Sequence, residues 1–277
     1  MLRNLCLKLR VFSIDSNILR NMSHSVLKLS GKVAVVTAST EGIGFSVAKR
    51  LATDGAAVVI SSRKKDNVEK ALDQLKSVSS KIAGIPCHVG KAEDRKRLLE
   101  FAKTTFGGVD LLVSNAAVNP TMGHVLDTSE DAWDKIFDIN VKSAFLLTQA
   151  VLPLMEERGG GSIVYMSSIA GLNPMNILGA YSVSKTALLG LAKAAATQCA
   201  QKNIRVNCVC PGIIKTKFSE VMWSNPSSKE VLDQAIPMKR CGEPDEIAGM
   251  VSFLCSNDAS YITGENFVVA GGYFSRL

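Results

Sequence analysis

The chain has 277 residues, of which 47% are hydrophobic and 21% charged, with only 8 prolines. That balance is expected of a globular protein with a sizeable core and excludes a disordered or fibrous one, and its apolar runs are too short for the ~20 residues that span a bilayer. The net charge of +7 is concentrated at the start, where Arg3, Lys8, Arg10, Arg20 and Lys28 face only Asp15; the other basic residues are scattered, so no nucleic-acid patch is indicated.

Residues 1–30 form an apolar, acid-poor, arginine-containing extension. Three readings fit it: a mitochondrial transit peptide, an unstructured extension, or the product of an upstream start, since Met22 could also initiate. From Gly31 onward, β-branched runs alternate with helix-like stretches. Strands are expected at Lys32 to Thr37, Ala57 to Ser61, Ile82 to Cys87, Asp110 to Ser114, Ser162 to Ser167, Ile204 to Cys210 and Asn266 to Ala270. Each is a continuous apolar run, as in strands covered on both faces. Helical periodicity marks Phe45 to Thr53, Asn67 to Val78 and Glu130 to Met155. This alternation predicts one α/β domain over residues 31–277, doubly wound and of Rossmann type, with a seven-stranded parallel sheet and helices on both faces. The stretch at about 213–241 breaks the rhythm and is too long for an ordinary connection, so it reads as a lid or binding loop.

Seven cysteines are expected to be reduced thiols of an intracellular protein. Cys208 and Cys210 would share one face of a strand, as a metal or redox pair or, on the stronger reading, as small buried hydrophobes. No second cluster completes a metal site, and three histidines (His24, His88, His124) leave little for a metal hydrolase or a Ser-His-Asp enzyme.

The first strand runs into Thr37-Ala38-Ser39-Thr40-Glu41-Gly42-Ile43-Gly44 and then a helix. Gly42 allows a tight turn close to a pyrophosphate, and Gly44 lets the helix pack against the sheet with its positive end toward the phosphates. After the second strand, where a carboxylate would hold the ribose hydroxyls of NAD, the chain reads Ser62-Arg63-Lys64. A guanidinium there suits a 2′-phosphate, so NADPH/NADP is the expected cofactor.

Tyr181 and Lys185 lie four apart in a helical stretch and share a face. A free phenol is a poor base at neutral pH, and an adjacent ammonium is expected to lower its pKa. Ser167 and Ser168 end a strand, where a hydroxyl can reach a carbonyl oxygen beside the tyrosine. Asn115 follows the fourth strand in Ser114-Asn115-Ala116-Ala117. Asn140 lies inside a helical stretch, an odd place for a side chain that competes with the backbone, though a buried asparagine satisfying a local kink would also explain it.

Together these residues resemble the short-chain dehydrogenase/reductase family, over essentially all of residues 31–277. The resemblance implies a catalytic set of Asn140, Ser168, Tyr181 and Lys185, with Ser168 and Tyr181 also meeting the substrate. It implies a cofactor site of Thr37, Ser39, Gly42, Ile43, Gly44, Ser62, Arg63, Lys64, His88, Asn115, Ala116, Tyr181, Lys185, Pro211, Ile214 and Thr216. In the implied mechanism Tyr181 protonates the carbonyl oxygen that Ser168 holds. Lys185 bonds the nicotinamide ribose and lowers the tyrosine pKa, and Asn140 holds a water leading to solvent. Phe218, Val221, Met222 and Trp223 either close over the substrate or pack in a core or subunit contact.

Departures from the family pattern are Ala38 for the first glycine of the turn, Ser114 and Ala117 in the second motif, Glu41 where NADPH-preferring members carry a base, and His88 for the usual adenine-binding aspartate. Ala38 implies a backbone that tolerates a Cβ. Several stretches, Cys87 to Asp94 and Ser114 to Pro120 among them, are similar to the family's peroxisomal NADPH-dependent carbonyl and retinal reductases. That likeness implies reduction of ketones, α-dicarbonyls and retinal, and a homotetramer. The alternatives are a 3-oxoacyl-thioester reductase of fatty-acid metabolism, a non-catalytic cofactor-binding regulator, and a sugar-nucleotide epimerase, which would need a larger substrate domain. The closing Ser275-Arg276-Leu277 resembles a peroxisomal address read by an import receptor, with the mitochondrion as the alternative destination.

Overall fold

The computed structural model describes residues 27–224, 230, 232 and 234–273. Most of the basic N-terminal segment and the terminal Ser275-Arg276-Leu277 lie outside the described residues. Seven strands form one parallel sheet: β1 (Val33–Val36), β2 (Ala57–Ser62), β3 (Ile82–Pro86), β4 (Leu111–Ser114), β5 (Gly161–Met166), β6 (Ile204–Pro211) and β7 (Asn266–Val269). Every strand expected from the sequence is present, displaced by at most a residue at either end. The strand order β3-β2-β1-β4-β5-β6-β7 starts the chain in the middle of the sheet and reverses its winding between β1 and β4. That reversal opens the crevice in which doubly wound folds bind ligands.

Alternation along the strands feeds two cores. Ala34, Val36, Val58, Ile60, Leu111 and Val113 point to one face, where α1 (Gly42–Thr53), α2 (Lys65–Leu75) and, later in the chain, the helix Pro244–Cys255 cover them. Val35, Val59, Leu112, Ile163 and Tyr165 point to the other face, under α3 (Ala92–Phe106) and the helices Ser143–Glu157 and Gly179–Cys199. Cys208 and Cys210 belong to this second core, both fully buried. Burial pushes the Cys208 thiol well above the ordinary thiol range. The two thiols act as small hydrophobes, and the described residues contain no cluster that could hold a metal.

The helix expected over Glu130 to Met155 is two helices. α4 (Glu130–Phe137) and α5 (Ser143–Glu157) flank a π-helical turn, Asp138–Lys142, in which the Ser143 amide reaches back to the Asp138 carbonyl. Ser129 caps α4 by accepting from the Ala132 amide. The next helix is α6 (Gly179–Cys199), and after β6 come α7 (Glu220–Trp223) and α8 (Pro244–Cys255). α8 starts with Pro244 at its first turn and a reciprocal cap between Glu243 and Glu246.

The stretch 213–241 does make an excursion with its own small core, formed by Ile213, Leu232, Ile236 and Cys241 with Met222, Trp223 and Tyr273 against them. Its ends are pinned together. Ile214 bridges Gly242, Lys215 pairs with Glu243 at 2.6 Å, and Arg240 bonds Glu246 through two nitrogens at 2.7 Å each.

One buried carboxylate closes the opposite end of the sheet. Asp110, 1% exposed, accepts the Val33 amide at 2.8 Å and Arg158 at 3.0 Å, with Lys32 at 3.5 Å. Removing it leaves a strand amide without its acceptor and Arg158 without its carboxylate, with only the Gly31 carbonyl remaining to it, so Asp110→Ala is expected to lower the unfolding free energy by about 3 kcal/mol. Urea denaturation measures this, and a loss under about 1 kcal/mol would reduce the cluster to a surface feature.

Candidate active site

A two-lobed cavity opens at the carboxyl ends of β1, β2 and β4. The larger lobe, about 630 Å³, has Ser62, Arg63, Lys64, His88 and Ala116 on its walls. The smaller, about 200 Å³, has Gly42, Ile43, Gly44, Asn115, Tyr181, Lys185, Pro211 and Thr216. Ala38, Glu41, Ala117 and Lys217 belong to both and mark the neck.

Asn115 holds the β1–α1 turn in place. Its Nδ2 donates to the Thr37 and Ala38 carbonyls at 3.2 and 3.0 Å, while Thr37 Oγ1 accepts the Asn115 and Ala116 amides at 3.0 and 3.1 Å. A Cβ on Gly44 would lie 2.3 Å from the Ala38 carbonyl oxygen and 2.5 Å from Asn115 Nδ2, so only glycine fits. Gly42 has φ +58. Contrary to the expectation of a Cβ-tolerant backbone, Ala38 keeps the left-handed conformation of a glycine, at φ +50. This costs ~1–2 kcal/mol, and the Asn115 bond to its carbonyl helps hold it.

The residues fit a dinucleotide. Glu41, the N-cap of α1, makes no side-chain capping bond, so the first amides of that 12-residue helix remain available to an anion at the neck.

Three expected cofactor residues do not line the cavity. Thr37 and Ser39 are fully buried. Ser39 Oγ donates to the Val36 carbonyl at 2.7 Å and accepts the Ser61 amide at 3.0 Å, so it shapes the turn. Ile214 is a core residue against α8 whose side chain would meet any Cβ at Gly242. Conversely, Asn67, Lys70 and Gln74 line the larger lobe unanticipated, with Lys135 and Lys217. The first three recur at three- and four-residue spacing, a helix-face signal present in the sequence.

At the closed end of the small lobe, the first turns of α6 carry Tyr181 and Lys185, 8% and 2% exposed. Tyr181 shares a side-chain hydrogen bond with Ser168. Ser167 is excluded from that role because its hydroxyl donates to the Lys185 carbonyl at 2.7 Å. Lys185 Nζ donates to the Met166 carbonyl at 2.7 Å and lies 5.4 Å from the Tyr181 ring centroid, over its face. The Phe218 ring, from the lid, stands 5.9 Å from that of Tyr181. Among the four apolar lid residues, Phe218 and Val221 are exposed, whereas Met222 and Trp223 pack into the lid's own core.

Asn140 sits in the π turn between α4 and α5. It is 1% exposed, with Oδ1 accepting the Val118 amide at 2.8 Å and Nδ2 donating to the Val118 carbonyl and Ser184 Oγ, each at 3.0 Å. Ser184 in turn donates to the Tyr181 carbonyl at 2.7 Å. Both amide hydrogens are used within the protein, so the side chain braces the π turn against α6.

The electrostatics also reverse one expectation. Burial pushes the Tyr181 phenol above its usual range, and only the Ser168 bond draws it back. Burial likewise brings Lys185 down to about 8, opposed by the thiols of Cys208 and Cys210. Burial is the largest effect on both groups and disfavours the charged form of each. A positioned acid, a second hydroxyl beside it and a neighbouring cation are the parts needed to protonate a carbonyl oxygen as it becomes an alkoxide.

A family model described as enoyl-(acyl carrier protein) reductase matches residues 37–274. The chain is 57% identical over 249 residues to dehydrogenase/reductase SDR family member 4 of Oryctolagus cuniculus, covering 90% of this chain and 96% of that protein. The chain belongs to the short-chain dehydrogenase/reductase family and is an oxidoreductase that uses a nicotinamide cofactor. Dehydrogenase/reductase SDR family member 2, mitochondrial, of Homo sapiens is 55% identical, covering 90% of this chain and 88% of that protein. Among solved structures, 7α-hydroxysteroid dehydrogenase complexed with NADH and 7-oxo glycochenodeoxycholic acid is similar with a TM-score of 0.85 at 33% identity, covering 91% of this chain and 97% of that one.

Lys185→Met is expected to stabilise the cofactor-free protein at neutral pH, because the wild type must bury an ammonium. The gain should be largest below about pH 8 and shrink as pH climbs toward 10.5, where only the unfolded lysine keeps the proton. Denaturation of both proteins across that window measures it, and a pH-independent difference would contradict a depressed lysine.

Proposed function

We propose that this chain is an NADPH-dependent carbonyl reductase acting on ketones, α-dicarbonyls and retinal. The observation that carries the reading is the buried Tyr181 bonded to Ser168 beside Lys185, in a cavity whose other lobe holds Arg63 and Lys64. Its support from the solved relatives is the 7-oxo steroid held together with NADH in the 7α-hydroxysteroid dehydrogenase.

The cofactor, when bound, supplies the hydride. Tyr181 gives its proton to the carbonyl oxygen, and Ser168 donates a hydrogen bond to the same oxygen as charge develops on it. Lys185 would hydrogen-bond the nicotinamide ribose. Asn140, through Ser184, fixes the turn of α6 that carries the tyrosine. Phe218 covers the site and limits water. The cofactor choice rests on charge: Arg63 and Lys64 close the strand where NAD enzymes place a carboxylate, and neither makes an ion pair among the described residues. His88 and Ala116, on the wall of the larger lobe, would hold the adenosine.

The acyl-carrier description of the matched family model favours a second reading, reduction of 3-oxoacyl thioesters by the same residues. Homotetramer assembly is supported by an open groove of about 1000 Å³ along α4, α5 and α6, with Phe137, Val141, Phe145 and Leu191 in it. No described helix is long and apolar enough to cross a membrane. We assign the chain to the peroxisome through Ser275-Arg276-Leu277; the name of the mitochondrial relative supports the alternative.

Tyr181→Phe should lower kcat for diketones or retinal by ~10²–10⁴-fold while the NADPH dissociation constant stays within about twofold. Near-normal turnover would remove the acid assignment, and preferential turnover of 3-oxoacyl thioesters would favour the second reading. Arg63→Ala should reduce the NADPH-to-NADH preference by about tenfold or more, and an unchanged ratio would refute the charge account. Deleting the last three residues should abolish peroxisomal import of the full chain, as seen by cell fractionation; a protein still imported, or found in mitochondria, is addressed elsewhere.

A further inference from the structure

Glu41 poses a problem for any dinucleotide in this cavity. It stands at the neck between the two lobes, at the N-cap of α1, where an anion would otherwise meet only amides and a positive helix end. A carboxylate there repels a pyrophosphate, whichever nicotinamide cofactor carries it. Lys217 shares the neck with Glu41, lines both lobes, is exposed, and makes no ion pair among the described residues. It reaches the neck from the other side, on the first turn of the lid (Lys217–Ser219) immediately after Thr216, whose methyl group lies against Gly42. The next residue is Phe218, over Tyr181.

We propose that Lys217 is a cofactor-binding residue whose ammonium offsets Glu41 and binds the cofactor's pyrophosphate at the neck, so that the first turn of the lid is held by the cofactor. Arg63 and Lys64, in the larger lobe alone, serve the adenosine end; Lys217 serves the group common to NADPH and NADH. This rests on the reading that the two-lobed cavity takes the dinucleotide.

The test is equilibrium binding of NADPH, NADH and adenosine 2′-monophosphate, by calorimetry, to the full-length wild type and to Lys217→Met, Lys217→Arg and Glu41→Gln. Lys217→Met should weaken NADPH and NADH alike by ~5–20-fold, leave their ratio unchanged, and flatten the salt dependence of both. Adenosine 2′-monophosphate, which lacks the pyrophosphate, should bind as to wild type. Lys217→Arg should retain affinity within about threefold, and Glu41→Gln should tighten both dinucleotides. Affinities within twofold of wild type in Lys217→Met overturn the proposal. So does a loss confined to NADPH and adenosine 2′-monophosphate, which would put Lys217 on the 2′-phosphate. A wild type with no preference for NADPH over NADH would refute the NADPH reading alone, leaving the comparison for Lys217 intact.

Discussion

Burying a phenol and an ammonium on adjacent turns of one helix is the constraint around which the rest of this structure is arranged. Both Tyr181 and Lys185 are taken out of water, and each is shifted away from its charged form. The site therefore needs hydrogen-bond partners that do not themselves carry charge. The Met166 carbonyl meets the ammonium, the Ser168 hydroxyl meets the phenol, and Ser167 ties down the backbone between them.

The supports for this arrangement come from elsewhere in the chain. Asn140 departs from helical propensity and is accommodated by a π turn, where its amide joins the Val118 backbone to Ser184 and so to the Tyr181 turn. On the cofactor side, Asn115 performs the same service for the β1–α1 loop and keeps Ala38 in a conformation its side chain disfavours. Two asparagines thus tie together backbone segments on the two sides of the cavity, and the strained Ala38 lies beside one of them.

Much of this was legible in the residues themselves. Seven apolar runs became seven strands because strands buried on both faces need such runs regardless of neighbours. Tyr181, Lys185, Gly42, Gly44 and Arg63 stood out because helical spacing, turn geometry and charge are local properties. Other features were not legible. Thr37, Ser39 and Ile214 belong to the glycine and Pro-Gly motifs in sequence, yet their side chains face inward. The split of the Glu130 to Met155 helix depends on Val118, twenty-two residues earlier than Asn140.

The sequence alone thus determined the class: a doubly wound sheet, a nicotinamide crevice at its switch point, and the hydroxyl and amine side chains of a hydride-transfer enzyme. These follow from periodicity and short spacings, which folding cannot rearrange. Tertiary structure decided the burial of Tyr181 and Lys185, the Asn140 bridge between Val118 and Ser184, and the placing of Glu41 and Lys217 on the wall common to both lobes. Each of those depends on burial or on contacts between residues far apart in the chain, and desolvation is a property of the packed surroundings, which no local spacing encodes.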